Sequence, residues 1–276
     1  MNSNLSSLAH NVQTRLLGLL QLLGGTFLTF VEATGQFAFF TLRAISHVFR
    51  PPLYFRQISR QFVDIGYYCL PVVGLTTLFS GMVLALQSYT GFSRYAGGAE
   101  SAIANVVVIS ITRELGPVMA GLMVAGRIGA SIAAELGTMR VTEQVDALTT
   151  LSTHPVKYLI VPRILAGVLM LPLLVAVGDV IGVFGGFLIS VYRLDFNAAN
   201  YIDQTWKFLE TIDVVSGLVK ASVFGFVVTL MGCYFGFNSK GGAQGVGAAT
   251  TNAVVSSSIL ILILNYFLTG LFFGAK

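Results

Sequence analysis

Long apolar runs alternate with short polar breaks along this chain. Five runs, at about 65–87, 103–126, 158–190, 214–237 and 253–274, are long enough to cross a bilayer. A hydrocarbon core of about 30 Å needs roughly 20 helical residues. The third run has length to spare for tilt, and Pro162 and Pro172 offer places to bend. An earlier stretch, about 16–42, is broken by Gln21, Gly24, Gly25, Glu32 and Gln36, and Arg43, Arg50, Arg56 and Arg60 follow it. It suits a helix embedded in one leaflet better than a full span. Pro51 and Pro52 then separate it from the first span. The pattern predicts an all-α integral membrane protein, with an N-terminal interfacial region over 1–60 and a transmembrane domain over 61–276.

The polar break between spans two and three is the most informative. It reads AELGTMRVTEQVDAL over 134–148. Val141, Val145 and Leu148 recur at helical spacing, with Glu143, Gln144 and Asp146 on other faces. An amphipathic helix lying between two spans is a docking surface for a soluble partner. Arg43, Arg50, Arg56 and Arg60 precede span one, Arg127, Arg140, Lys157 and Arg163 lie around this break, and Lys240 falls between spans four and five. The positive-inside rule makes that side cytoplasmic, which puts the N-terminus inside and the C-terminus outside.

Composition removes the alternatives. The chain is 55% hydrophobic and 10% charged, with a mean hydropathy of +0.80. A soluble domain could not hide that much apolar surface. The net charge of +4 does not point to nucleic acid, because the basic residues collect on one side of the membrane. Cys69 and Cys233 both fall in apolar runs and read as buried thiols, with no disulfide or metal framework. The first apolar run lacks a small-residue cleavage site, so the N-terminus is read as retained.

Charges inside the runs are the candidate chemistry. Arg113 and Glu114 interrupt span two, where each costs about 2.5–3.5 kcal/mol on insertion scales. They read either as a polar spot in a substrate cavity or as partners of ions on another helix. Neighbours point about 100° apart on a helix, so they should not simply neutralise each other. Gly116-Pro117 loosens the backbone beside them. Gly121, Ala125, Gly129, Ala133 and Gly137 form an unbroken row of small residues. The row suits close helix contact, within the protomer or at a dimer seam. Asp179 reads as a hydrogen-bonding group or a proton relay, and Tyr201 and Trp206 as interfacial anchors. The three histidines lack ligand-like spacing. The glycine-rich stretch 238–251 has no phosphate-loop arrangement and reads as a flexible turn.

Five blocks together resemble a known family: SGMVLALQSY (80–89), RELGP (113–117), AGRIGASIAAELGTMRVTEQVDAL (125–148), HPVKYLIVPRILAG (154–167) and GVGAATTNAVVSSS (245–258). They are similar to the MlaE-type permeases, membrane subunits of ABC lipid transporters that work with MCE proteins. The match runs in order from about residue 55 to 276. The resemblance implies five spans with an N-terminal elbow helix and a cytoplasmic coupling helix. It also implies a non-catalytic homodimer served by a cytoplasmic ATPase subunit, which holds the ATP and magnesium, with no cofactor in this chain. A hexameric MCE ring on the periplasmic side, in some systems a STAS-domain protein, and phospholipid as cargo for outer-membrane lipid asymmetry complete the picture, in a bacterial inner membrane.

Carried over by position, residues 134–151 would be the coupling helix, with Glu135, Arg140, Glu143 and Asp146 at the ATPase contact. Leu84, Tyr95, Arg113, Glu114 and Leu115 would line the lipid cavity. The family usually carries arginine where Asn252 stands and aspartate where Asn265 stands. Two rivals remain. A proton-coupled secondary lipid transporter would use Asp179 and Glu114, and a lipid enzyme would need an acid–base cluster that the sequence does not display.

Overall fold

The computed structural model describes residues 24, 25, 28, 31, 32, 34–48, 54–92 and 99–274, except for the side chains of 99–101. The chain divides into two units, Met1–Ser46 and His47–Lys276. In the first, the described residues from 34 onward are helical, with Phe39 and Leu42 turned outward. The expected leaflet helix over 16–42 falls in large part outside the described residues.

The second unit holds α1 (Phe55–Phe92), α2 (Ala102–Val141), α3 (Gln144–Thr150), α4 (Val156–Tyr192), α5 (Ala198–Phe208), α6 (Thr211–Phe237) and α7 (Gly242–Phe273). Helices α1, α2, α4, α6 and α7 are long and apolar enough to cross a membrane, so the five expected spans are present. Each extends beyond its apolar run. A helix satisfies its own backbone hydrogen bonds, and nothing obliges it to stop where the hydrocarbon ends.

Three expectations change in detail. The 134–148 segment is not one separate helix, because α2 continues unbroken to Val141. Glu143, with φ of 59°, turns the chain into the short α3. Val145 is buried there, and Glu143 and Asp146 are exposed. The supposed flexible turn shrinks to Asn238–Gly241, and the rest of the glycine-rich stretch is the first turns of α7. Gly241, at φ of +90°, makes that reversal possible without a Cβ penalty. Tyr201 is not an anchor at the interface: it is 4% exposed and packs edge-on against Phe187 at 5.8 Å. Burial pushes its phenol up to about 12. Trp206, 73% exposed on the same helix, remains on the outer face of α5.

Two helix starts explain the outer connection. Asn197 caps α5 by accepting from the backbone N–H groups of Ala199 and Asn200. Glu210 and Asp213 form a reciprocal capping box at the start of α6.

Close approach of backbones holds the spans together, as expected where lipid removes the drive to bury apolar surface. Helix α4 crosses α6 at Gly167 and Gly225. A Cβ on either glycine would collide with the other's carbonyl oxygen. The small-residue row of α2 faces α6 and α7 of the same chain. Gly121 lies against Phe224 and Ile261, Gly129 against Val228, and Gly137 against Ser239 and Val246. Ala125 and Ala133 are fully buried. The row is therefore an internal seam and not a dimer surface.

Candidate functional site

Helix α2 loses its regular hydrogen bonding at Ile111–Leu115, a π-helical turn in which Gly116 N–H bonds Ile111 O. Pro117 has no N–H, so the carbonyl of Arg113 lacks its usual helical donor. Lys220 Nζ fills that gap, donating to Arg113 O at 2.8 Å. The same ammonium lies 2.8 Å from Glu114 Oε1 and donates to Thr269 Oγ1 at 2.8 Å. Glu114 also accepts from Thr269 Oγ1 at 2.8 Å and Asn265 Nδ2 at 2.7 Å. Lys220 is completely buried, while Glu114 keeps 36% of its side chain exposed.

Arg113 turns the other way. Its Nε and Nη2 reach Asp213 Oδ1 at 2.7 and 2.6 Å, and its guanidinium lies 4.0 Å over the Phe273 ring. Asp213 is fully buried, and its second oxygen accepts from Glu210 N–H at 3.1 Å. One carboxylate thus caps α6 and anchors α2. Each member of the Arg113–Glu114 pair finds its own counter-ion on α6, as their angular separation on the helix demands. Sequence reasoning passed over Lys220 and gave Asp213 no role at this site. A lysine within SGLVKASVF was a readable signal, because an unpaired ammonium at that depth is not tolerated.

Leu84 and Leu115 line a groove of about 400 Å³ with Phe79, Ser80, Val83 and Gln87. Tyr95 lies outside the described residues. Asn265 belongs to the Glu114 cluster, with its Oδ1 unpartnered among the described residues. Asn252 is exposed, 13 residues earlier on α7 (265 minus 252), or about 20 Å away along the axis. Asp179 is 8% exposed and sits against Gly116, its Oδ1 unpartnered among the described residues. It borders an apolar cleft of about 560 Å³ walled by Val108, Phe184, Phe187 and Trp206.

On the opposite face, Arg140 at the end of α2 pairs with Asp146 of α3 at 2.6 Å and lies 5.9 Å over Phe237. Glu143 is exposed beside this link, and Asp146 stays exposed within it. Glu135 instead pairs with the buried Arg163 of α4 at 2.7 Å. His47 and His154 come within 6.2 Å, centroid to centroid. Among the described residues no group of three or more His, Cys, Asp or Glu could hold a metal.

Five apolar helices, a charged cluster between them and a short helix linking two spans mark a multi-pass membrane protein. The family model for "Permease MlaE" matches residues 58–271, and the chain belongs to that family of ABC transporter permeases. With the five apolar helices, that membership makes the chain a multi-pass inner-membrane protein. The chain is 60% identical over 258 residues, 94% of its length and 99% of the relative's, to a "Probable ABC transporter permease protein" of Rickettsia bellii. It is 32% identical over 260 residues, 92% of its length and 97% of the relative's, to the "Intermembrane phospholipid transport system permease protein MlaE" of Haemophilus influenzae. A chloroplast protein of Arabidopsis thaliana, TRIGALACTOSYLDIACYLGLYCEROL 1, is 36% identical over 233 residues, 84% of this chain and 65% of that one.

Proposed function

We propose that the protein is the permease subunit of a transporter that moves phospholipid between the inner membrane and a periplasmic MCE partner, supporting outer-membrane lipid asymmetry. Two copies would enclose the cargo. The Leu84–Leu115 groove and the partly exposed edges of Arg113 and Glu114 would form part of the cavity wall. A separate cytoplasmic ATPase would hold the nucleotide and magnesium, and a STAS-domain protein could accompany it. Residues 1–60 would form the interfacial elbow region and 61–276 the permease domain. The N-terminus would be cytoplasmic and the C-terminus periplasmic.

The observation that carries this reading is the continuity of α2. From Glu114 to Val141 the helix runs without a break, 27 residues (141 minus 114) or about 40 Å. The Arg140–Asp146 bond then ties it to α3. A displacement of α3 by a docked partner is therefore delivered to the charged cluster through one element. The ATPase supplies the energy, because only a partner whose affinity differs between two states can shift them.

Glu143 and Asp146 are the exposed carboxylates offered to a basic surface on the ATPase. Reversing both charges is expected to abolish co-purification with the ATPase and stimulated ATP hydrolysis. Full activity in that variant refutes the assignment.

A further inference from the structure

A polar cleft of about 330 Å³ opens near the membrane face that carries α3. It is bordered by Arg60, Asp64 and Tyr68 of α1 and by Arg127, Ser131 and Glu135 of α2. Its volume falls at the lower end of the roughly 300–1,000 Å³ typical of ligand sites. A smaller cleft of about 150 Å³ shares Arg60, Gln61 and Glu135 with it and reaches Arg163.

Only one pair of the charges around these clefts, Arg163 with Glu135, satisfies itself. Among the described residues, Arg60, Asp64 and Arg127 have no ion-pair partner. Arg127 donates, among the described residues, only to the carbonyl of Tyr68. Arg163 is 3% exposed and pairs with Glu135, but its Nε–H has no acceptor among the described residues. Two unpaired guanidinium groups on the larger cleft, with an unmet Arg163 donor in the smaller cleft that Arg60 also borders, form an arrangement that lacks an anion. The unpaired Asp64 in the same cleft asks for a cation close to that anion.

We propose that this cleft binds the headgroup of a zwitterionic phospholipid from the adjoining leaflet, its phosphate on Arg60 and Arg127 and its ammonium on Asp64. Guanidinium groups meet phosphate oxygens in a planar fork that a simple point charge does not reproduce. Basic pockets between spans are sites where lipid headgroups are held. The cleft lies on the far side of the membrane from the groove at Leu84, so it is a second lipid site and needs neither the ATPase nor transport. Its failure would leave the permease reading untouched, and the reverse holds too.

The test uses the full chain, delipidated in detergent and titrated with phosphatidylethanolamine, with native mass spectrometry as the readout. One lipid adduct per chain is expected, weakened about tenfold or more in Arg60→Gln/Arg127→Gln, which corresponds to about 1.4 kcal/mol. Asp64→Asn should erase the preference for phosphatidylethanolamine over phosphatidylglycerol. Inorganic phosphate should leave the adduct in place at concentrations that saturate neither reagent. An unchanged adduct in the double glutamine variant overturns the proposal, as does wild-type protein that binds phosphatidylglycerol equally well. Displacement by inorganic phosphate alone would mark a free-anion site instead. Lost ATPase co-purification with unchanged lipid binding would mark a protein-docking surface, and either result overturns it. Should the double variant not fold, Asp64→Asn decides alone, and an unaltered headgroup preference sinks the idea.

Discussion

Lys220 Nζ lies 2.8 Å from Glu114 Oε1 across the α2–α6 contact, and the lysine has no exposure at all. Removing one partner of a buried pair costs about 3–5 kcal/mol, because the other charge is left uncompensated. Glu114 keeps two further donors and some exposure. Lys220→Met is therefore expected to cost about 3 kcal/mol, the lower end of that range. Lys220→Met/Glu114→Gln should recover part of the loss, and melting of Lys220→Met, Glu114→Gln and the double variant in one detergent measures the coupling. Additive losses would show that the pair contributes nothing as a pair.

Asn265 donates to the Glu114 oxygen that Lys220 leaves open. Asn265→Ala removes a hydrogen bond to a charged group, expected to cost about 1.5–3 kcal/mol. Asn265→Asp is expected to lower the melting temperature further, since it sets a second carboxyl against Glu114 with only Lys220 between them. An Asp variant as stable as wild type would mean a second carboxyl fits this cluster without rearrangement.

The Gly167–Gly225 crossing admits no side chain. Gly167→Val would drive its methyls into Thr229 and the Gly225 carbonyl. Overpacking of this kind costs about 1–3 kcal/mol or more, so the folded fraction on size-exclusion chromatography should fall sharply. Gly126→Ala, with nothing within 4 Å of its new Cβ, is the matched control and should leave the profile unchanged.

The Arg140–Asp146 bond separates stability from coupling. Exchanging the two charges, Arg140→Asp with Asp146→Arg, keeps a pair at the α2–α3 joint but inverts the exposed surface. Melting should shift by less than about 1 kcal/mol, as for other exposed pairs, while ATPase co-purification is lost. Glu143→Gly removes one exposed charge at a position whose φ of 59° suits glycine, so it tests the charge without strain. Retained coupling in both variants would show that these carboxylates do not face the ATPase.

Which parts were legible follows from what the pattern encodes. Apolar runs announce spans because the bilayer demands about 20 consecutive apolar residues, and all five were readable. The small-residue row announced a close contact but not its partner, since glycine and alanine carry no address. That partner is α6 and α7 of the same chain. The division of 134–148 between α2 and α3 was hidden because Val141, Val145 and Leu148 keep helical spacing across the break at Glu143. Arg113 and Glu114 stood out as intramembrane charges. Their partners required pairing across 100 and 106 positions of sequence, which periodicity within one segment cannot supply.

The most direct test is transfer of labelled phospholipid in proteoliposomes holding the full permease, with and without its ATPase partner. Transfer is predicted to require both the ATPase and ATP, and to stop when Glu143 and Asp146 are reversed. Transfer by the permease alone, driven by a pH gradient without nucleotide, would contradict the account.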